Sequence, residues 1–511
     1  MDPRPVRGRR TLRALAWSSA GTGITFASNI VAMIWLSRIL GPKIVGASAA
    51  VLAICTIFRA TLLVPIIQAT VTDPGQSVAF RRSAEVLSVG LGVTGAACLT
   101  LGSVAMSGLV DVPRFPQMAA VGGLSIAAAS VGCGSFALLQ RELRFRVLSA
   151  YQACGAVVGS LVVAPVLAYS DLRPISLLAA ALVAASIETL GALWSTRSTR
   201  AARRPDDSTP VRVREVANAS SGFAAVGVTS SLALQGDTLV VAATLGSGSA
   251  GLYSRAYRLM ALPANLLGDI ADAVLLSAGT QASLRRLRRA FDAGSLLALI
   301  VTWPAALIGV VTADDLVAVL LGAEWQGSAP VLKALCIGLP FRVAYKGPAV
   351  ILNVRRRSWA LTVRLAAYAT LVIGLSLVGA EFGLVWVGVG VSASLVTFHL
   401  LVSRAAARDL SVPNHILGDN LLAVGLSLPA AAAALATHHA ADGLPAFVRL
   451  TLTLAAGLVG IVAAWVPAWR WPPPRIRYVK EVVARNRGAD DSPRSPLEDP
   501  RLWNVEGAEA E

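Results

Sequence analysis

Residues 44–69 read IVGASAAVLAICTIFRATLLVPIIQA, an apolar run that contains a single charged side chain, Arg59. An α-helix rises about 1.5 Å per residue, and the hydrocarbon core of a bilayer is about 30 Å thick. A run of this length and composition therefore predicts a helix that crosses a membrane. An arginine inside such a helix is costly to bury in hydrocarbon, so Arg59 is a candidate functional residue.

Similar apolar runs recur along the whole chain. They predict an all-α, polytopic membrane protein with about 14 transmembrane helices. The predicted spans are residues 14–37, 44–69, 84–110, 117–139, 147–169, 174–195, 217–245, 256–280, 291–312, 329–352, 361–380, 383–402, 417–437 and 446–469.

The chain carries a formal net charge of +16, and its Lys and Arg residues gather on every second loop. Positively charged loops mark the cytoplasmic side of a membrane protein. The pattern therefore predicts a multi-pass protein of the bacterial cytoplasmic (inner) membrane with both termini in the cytoplasm. Because the charge is spread along one membrane face, it indicates topology and argues against nucleic acid as a partner.

A weak internal repeat suggests how the spans are organised. The segment from Leu40-Gly41 to Gly46 and the segment from Leu245-Gly246 to Gly251 align at an offset of 205 residues. Two six-helix halves that enter the membrane in the same direction are related by a pseudo-two-fold axis along the membrane normal, with binding sites between them. The predicted domains are an N-terminal half (1–195), a basic cytoplasmic loop (196–216), a C-terminal half (217–405), an extra helix pair facing lipid (406–470) and a disordered cytoplasmic tail (471–511).

Charged side chains inside the spans predict a cationic cavity. In the eighth span, Arg255, Arg258, Asn265, Asp269 and Asp272 recur at helical spacing and share one face. Arg59, Arg342 and Lys346 fall at a similar membrane depth on two other helices. Arginine binds phosphate oxygens through its planar fork and lysine as a point charge, so these five basic residues suit a pyrophosphate.

Uncharged polar residues and carboxylates complete the predicted site. The polar lining is predicted to comprise Ser18, Thr22, Thr25, Asn29, Gln235, Asn265 and Asn353. The carboxylates that could couple transport to H⁺ or Na⁺ are Asp237, Asp269, Asp272 and Glu188. The alternative interpretation is structural: the charges pair with one another and only hold helices together.

No catalytic, metal or cofactor site is predicted. The five cysteines lack paired spacing, and no Walker A sequence is present. Asp314-Asp315, in the outer segment 313–328, could imitate the acidic pair of a membrane glycosyltransferase or polysaccharide polymerase, but a solvated helix end explains it more simply. The protein is thus expected to be a transporter without a cofactor, not an enzyme, and to draw energy from an ion gradient or the membrane potential.

The run LGSGSAGLYSRAYRLMALP at 245–263 resembles the signature of the polysaccharide and O-antigen flippases, within the multidrug/oligosaccharidyl-lipid/polysaccharide exporter superfamily. SRILGP at 37–42, LQRELRFR at 139–146 and QGD at 235–237 resemble further segments of that family. So does the stretch from Glu324-Trp325 to the run APVL at 329–332. The resemblance covers about residues 14–405. The segment 62–68 departs from it because the expected glycines are missing.

The resemblance implies a flippase for polyprenyl-pyrophosphate-linked oligosaccharides, which moves them from the inner to the outer face of the membrane by rocking its two halves. Expected partners are that lipid-linked glycan, the bilayer, a coupling H⁺ or Na⁺, and the polysaccharide polymerase and glycosyltransferases of the same pathway. A lipid II flippase and a multidrug antiporter of the same superfamily remain alternatives. So does the membrane glycosyltransferase or polymerase, from a different functional class.

Overall fold

The computed structural model describes residues 4–73, 78–106, 112, 114–202, 213–279, 284–355, 357–413, 415–477 and 480–481. Within these ranges, the side chains of residues 4–20, 198–202, 266–279, 285, 286, 290 and 358 lie outside the described part. All regular secondary structure among the described residues is helical. The predicted all-α class is therefore confirmed.

Eighteen α-helices make up the described chain. They are α1 (Arg4–Ser37), α2 (Pro42–Phe58), α3 (Val64–Thr72), α4 (Val78–Met106), α5 (Phe115–Val131), α6 (Cys133–Arg141), α7 (Phe145–Val157), α8 (Ala164–Ala168), α9 (Ser176–Ala202), α10 (Val213–Thr244), α11 (Gly246–Gly279), α12 (Leu284–Leu320), α13 (Ser328–Ala344), α14 (Lys346–Val354), α15 (Ser358–Phe382), α16 (Leu384–Leu410), α17 (Ile416–Ala440) and α18 (Ala446–Arg470).

These helices account for every predicted span. Eleven helical stretches are long and apolar enough to cross a membrane, and α5 with α6, bent by 47°, makes a twelfth. The remaining two predicted spans correspond to the short apolar stretch Gly21–Ser37 of α1 and to α11. The protein is a multi-pass membrane protein. Helices α6, α14 and α18 end at one face of the bundle, which we call the basic face. The other face is called the opposite face.

Two spans are interrupted by a π-helical turn just before a proline. Residues Arg59–Leu63 form such a turn between α2 and α3, ahead of Pro65, and Val158–Val163 form another between α7 and α8, ahead of Pro165. Proline lacks the N–H that would continue the helical ladder, and its ring crowds the carbonyl one turn back, so the helix widens locally. Both turns supply residues to the cavity described below.

The last two helices form an antiparallel hairpin that packs on α12. Their outward side chains, such as Leu417, Leu421 and Phe447, are largely exposed, as expected for helices that face lipid. Small residues allow the close packing of this pair, since a Cβ on Gly460 would lie 2.6 Å from the Cα of Ala430. The tail predicted to be disordered lies largely outside the described residues, which end at 481.

Candidate functional site

A polar cavity of about 530 Å³ lies between α1, α2, α7, α9 and α11, with a wall contributed by the π turn Val158–Val163. Its polar lining residues are Thr22, Thr25, Asn29, Arg59, Gln152, Ser160, Glu188, Ser254, Arg255 and Arg258. Small apolar residues, among them Gly155, Ala156 and Ala184, fill the rest of the wall and leave the space open. The cavity therefore lies between four of the first six spans and α11.

Arg255 is the most constrained cation of this site. Only 3% of its surface is exposed, and its Nε and Nη2 atoms have no hydrogen-bond partner among the described residues. Its guanidinium carbon lies 5.6 Å from the ring centroid of the buried Trp325, a weak cation–π contact. A buried guanidinium without a counter-ion is energetically unfavourable, which is the behaviour expected of a group that awaits an anionic ligand.

Arg59 and Arg258 line the same cavity with more exposed side chains. Arg59 is the first residue of the π turn Arg59–Leu63. Among the described residues, neither arginine makes a hydrogen bond or an ion pair. Glu188 is the one carboxylate among the described lining residues, and it interacts electrostatically with Arg59. The described lining therefore carries three arginines and one glutamate, a net positive charge.

The structure separates Arg342 and Lys346 from this cavity. Neither residue lies in its lining. Arg342 instead donates a hydrogen bond of 2.5 Å from Nη1 to the hydroxyl of Tyr257, and its guanidinium lies 5.1 Å from that ring centroid. The sequence placed Arg59, Arg342 and Lys346 at one depth, but depth along a helix leaves open which way each side chain turns about the helix axis.

Asp237 belongs to a second buried polar group on the other side of α11. Its carboxylate accepts a hydrogen bond of 2.6 Å from the hydroxyl of Tyr253 and one of 2.7 Å from the backbone N–H of Thr238. Tyr253 and Tyr257 are one helical turn apart, with ring centroids separated by 6.1 Å. Helix α11 thus presents arginines to the cavity and tyrosines to α10 and α13.

The other predicted site residues fall outside the cavity or outside the described part. Gln235 and Asn265 are half-buried, Asn353 is exposed near the end of α14, and none of the three lines the cavity. The side chains of Ser18, Asp269 and Asp272 lie outside the described residues. Three lining residues were missed, namely Gln152, Ser160 and Ser254. Gln152 and Ser160 are two helical turns apart in one apolar span, and that spacing was the available signal.

The cavity is closed towards the opposite face by a tight contact between α2 and α11. A Cβ on Gly46 would collide with the carbonyl oxygen of Ser247, and a Cβ on Gly251 would collide with that of Pro42. The two contacts are equivalent within the internal repeat. An offset of 205 residues relates Gly46 to Gly251 and Pro42 to Ser247. We call this contact the glycine contact.

Two hydrogen bonds reinforce the same end. Trp325 donates from Nε1 to the carbonyl of Ser37 at 2.7 Å, and Arg38 donates from Nη2 to the carbonyl of Val319 at 2.6 Å. Trp325, which packs over Arg255, is 1% exposed. Arg255 therefore lies directly beneath the closed end.

Arg449 of α18 and Arg475 of the segment after it are paired with carboxylates, unlike the arginines of the cavity. Arg449 binds both carboxylate oxygens of the buried Asp315, while Asp314 pairs with Lys333 at 2.6 Å. Near the basic face, Arg475 binds Asp292 at 2.8 Å and Asp419 at 2.7 Å. Partial burial opposes the charge of Arg475, but the hydrogen bonds that it donates to the carboxylates of Asp419 and Asp292 raise its pKa above the ordinary value. The ion pairs of Asp314 and Asp315 thus connect α12 to α13 and α18.

Comparison with known proteins adds a family and a fold. Residues 35–330 match the model of a family described as "Polysaccharide biosynthesis protein". The lipopolysaccharide biosynthesis protein WzxC of Escherichia coli (strain K12) is 24% identical over 340 residues, which cover 64% of this chain and 66% of that relative. The chain thus spans just under two thirds of the relative's length. The resemblance seen in the sequence motifs is confirmed.

Two solved structures share the fold. The lipid II flippase MurJ in an inward closed conformation superposes with a TM-score of 0.67 over 87% of this chain and 98% of that one, at 13% identity. An inward-facing multidrug resistance MATE family transporter of the MOP superfamily gives 0.58 over 76% and 94%, at 15% identity. At such identities the likeness establishes the fold alone, which is that of polytopic membrane transporters.

Proposed function

Because the chain belongs to the polysaccharide biosynthesis protein family, we propose that it is a flippase for polyprenyl-pyrophosphate-linked oligosaccharide repeat units. It moves them from the inner to the outer face of the cytoplasmic membrane for export of a cell-surface polysaccharide. The basic face is then cytoplasmic, with both termini on that side. The observation that carries this proposal is the polar cavity with the unpaired guanidinium of Arg255.

The chemistry of the cavity favours an anionic head group. Arg59, Arg255 and Arg258 line it from two helices, and Glu188 is the single opposing charge among the lining residues that the structure describes. Guanidinium groups bind phosphate oxygens with two parallel hydrogen bonds, and a pyrophosphate can accept several such pairs. The polyprenyl chain stays in the surrounding lipid, where transfer of its apolar surface to water is avoided.

The polar uncharged wall suits the glycan. Hydroxyls and amides of Thr25, Asn29, Gln152 and Ser160 can exchange hydrogen bonds with sugar hydroxyls as the glycan loses water. A multidrug antiporter that carries cations would place a cationic substrate against three arginines, which is electrostatically unfavourable. The lipid II flippase has the same head-group chemistry and is distinguished by the glycan in the assay below.

Alternating access gives the glycine contact its role. For a head group to leave towards the opposite face, α2 and α11 must separate where Gly46 and Gly251 now touch. Separation also breaks the Trp325–Ser37 hydrogen bond, so that Trp325 no longer covers Arg255. Arg255, which lies near the glycine contact, is placed to hold the pyrophosphate last before release. Arg59 lies farther from that contact along its span and is placed to hold the pyrophosphate first.

The energy source is proposed to be an ion gradient or the membrane potential. Glu188 faces the cavity near Arg59, so a proton or Na⁺ at Glu188 would change the charge that the pyrophosphate meets. Asp237 is enclosed by Tyr253 and Thr238, away from the lining. Of the described carboxylates, Glu188 is therefore the stronger coupling candidate. Asp269→Asn should leave the gradient dependence of transport unchanged if Glu188 is the coupling group.

Reconstituted flipping tests the proposal. Proteoliposomes with a fluorescent polyprenyl-pyrophosphate oligosaccharide would be compared for wild type, the triple variant Arg59→Gln/Arg255→Met/Arg258→Gln, and Arg404→Gln as a matched control. Arg404 is an exposed arginine of α16 away from the cavity. We expect flipping by the wild type and the control, and its loss in a folded triple variant. Absence of flipping by a correctly inserted wild type, or preference for lipid II in a competition, would overturn the proposed substrate.

A further inference from the structure

A second cavity, which plays no part in the proposed transport path, lies between α12, α17 and α18 near the basic face. Its volume is about 620 Å³. Its walls are almost entirely apolar: they are formed by Leu296, Leu297, Ile300, Leu426, Trp465, Val466, Ala468, Trp469 and Ile476. No residue of the polar cavity contributes to it. Such a space is suited to a hydrocarbon chain.

The chain builds a floor for this cavity after α18 has ended. Ile476, 7% exposed, turns back beneath α18 and lines the cavity. Arg475 fixes this segment through its ion pairs with Asp292 of α12 and Asp419 of α17. The cavity is therefore a defined pocket tied to three helices and is more than a gap between lipid-facing side chains.

Two cations stand at the mouth of the pocket. Arg470 and Lys480 are the charged residues of its described lining, which contains no carboxylate. The ammonium of Lys480 lies 4.5 Å from the ring centroid of Trp469 and donates a 2.5 Å hydrogen bond to the Trp469 carbonyl. The nearby carboxylates Asp292 and Asp419 are already bound by Arg475. The mouth thus has positive charge without an acidic partner in the lining.

We propose that this pocket binds one anionic phospholipid of the leaflet at the basic face. An acyl chain fills the apolar cavity, and the lipid phosphate lies between Arg470 and Lys480. Basic pockets between transmembrane helices on this side of a membrane recognise such head groups. The bound lipid would join α18 to α12 and so fix the added helix pair against the transport bundle.

Charge complementarity favours a phospholipid over the polyprenyl chain of the transported substrate. A phospholipid brings its own phosphate to the mouth of the pocket. The pyrophosphate of a transported lipid would instead occupy the polar cavity, which shares no lining residue with this pocket. Its tail alone would leave Arg470 and Lys480 without a counter-ion.

Native mass spectrometry of the delipidated full-length protein tests this site. Phosphatidylglycerol and phosphatidylcholine with identical acyl chains would be titrated into the wild type, into Arg470→Gln/Lys480→Gln, and into Arg477→Gln. Arg477 is an exposed arginine of the same segment that does not line the pocket. The wild type should prefer phosphatidylglycerol, and the double variant should lose about thirtyfold of that preference, because each basic residue near the surface contributes about fivefold. Arg477→Gln should keep most of the preference.

Two further measurements keep the test decisive. Lys480→Arg retains the charge and should keep the preference, which separates a lost ion pair from a lost fold. Equal binding of both phospholipids by the wild type, or an unchanged preference in the double variant, would overturn the site. Displacement of bound phosphatidylglycerol by uncharged polyprenol, with no head-group preference remaining, would assign the pocket to the substrate tail instead. None of these results depends on whether the protein flips a glycan.

Discussion

Arg255 in the polar cavity differs from Arg449 and Arg475, beside the added helix pair, in whether its guanidinium is paired with a carboxylate. Arg449 and Arg475 each bind at least one carboxylate at close range, whereas Arg255 is buried with two nitrogen atoms unsatisfied. Paired charges hold helix ends together and need no ligand. Unpaired charges inside a cavity keep an unfavourable energy that an anion can relieve. Pairing, more than burial, therefore separates structural arginines from candidate binding arginines in this protein.

The largest effect should come from Arg255→Met. Methionine keeps the unbranched apolar stem and removes the buried charge, so thermal stability should be unchanged or higher while flipping falls about a hundredfold. Flipping in proteoliposomes and thermal unfolding in detergent would be measured together. A large drop in stability with normal flipping in the folded fraction would reverse the comparison and make Arg255 structural.

The glycine contact should be nearly as sensitive. Gly46→Ala introduces a Cβ that collides with the Ser247 carbonyl and destabilises the closed end by about 1–3 kcal/mol, which opens the cavity more often. In a background without native cysteines, Ser254→Cys should then react about tenfold faster with an impermeant thiol reagent added at the opposite face. Gly248→Ala is the control, because its Cβ meets only the side chain of Lys43 at 3.8 Å. Equal reactivity in both backgrounds would remove the gate assignment.

Arg475→Met should show the reverse of Arg255→Met. Removal of the guanidinium leaves Asp292 and Asp419 without their cation, so the unfolding free energy should fall. Because the side chain of Arg475 is 27% exposed, water partly screens these ion pairs, and the expected loss is about 1–3 kcal/mol. Flipping by the protein that remains folded should change by less than about twofold, because Arg475 is remote from the polar cavity. Unfolding in detergent, with flipping normalised to folded protein, measures both. Intact stability with lost transport would contradict this account.

A small effect on transport is also expected for Arg342→Gln. Arg342 hydrogen-bonds Tyr257 and lies outside the cavity lining, so flipping should fall by less than about threefold. The sequence alone grouped Arg342 with Arg59 in one cationic site, whereas of the two only Arg59 lines the cavity. A comparison of flipping by the two single variants decides whether Arg342 belongs to the same site as Arg59. Equal, large losses for Arg342→Gln and Arg59→Gln would restore the original grouping.

The sequence was sufficient for the helices and for one side of the site. Apolar runs alone located the helices, and helical spacing placed Arg255 and Arg258 on one face of α11, where both line the cavity. It also identified Thr22, Thr25, Asn29, Arg59 and Glu188 as polar residues within spans. These successes share a cause, because membrane burial makes each polar side chain conspicuous.

What the sequence could not supply was rotation about helix axes and pairing between distant helices. Arg342 shares a depth with Arg59 but turns towards Tyr257. The pairing of Asp315 with Arg449 joins residues 134 positions apart, and it depends on how α18 packs on α12. Whether a given charge is paired follows from that packing, so the two interpretations of the buried charges stayed open until the bundle was known.

Binding of the head group tests the central claim most directly. The affinity of the purified protein for a short-chain prenyl pyrophosphate oligosaccharide and for its monophosphate analogue would be measured for wild type and for Arg59→Gln/Arg255→Met/Arg258→Gln. The account predicts that the wild type prefers the pyrophosphate and that the triple variant loses at least about a hundredfold in affinity. Equal affinities of the wild type and a folded triple variant would contradict it.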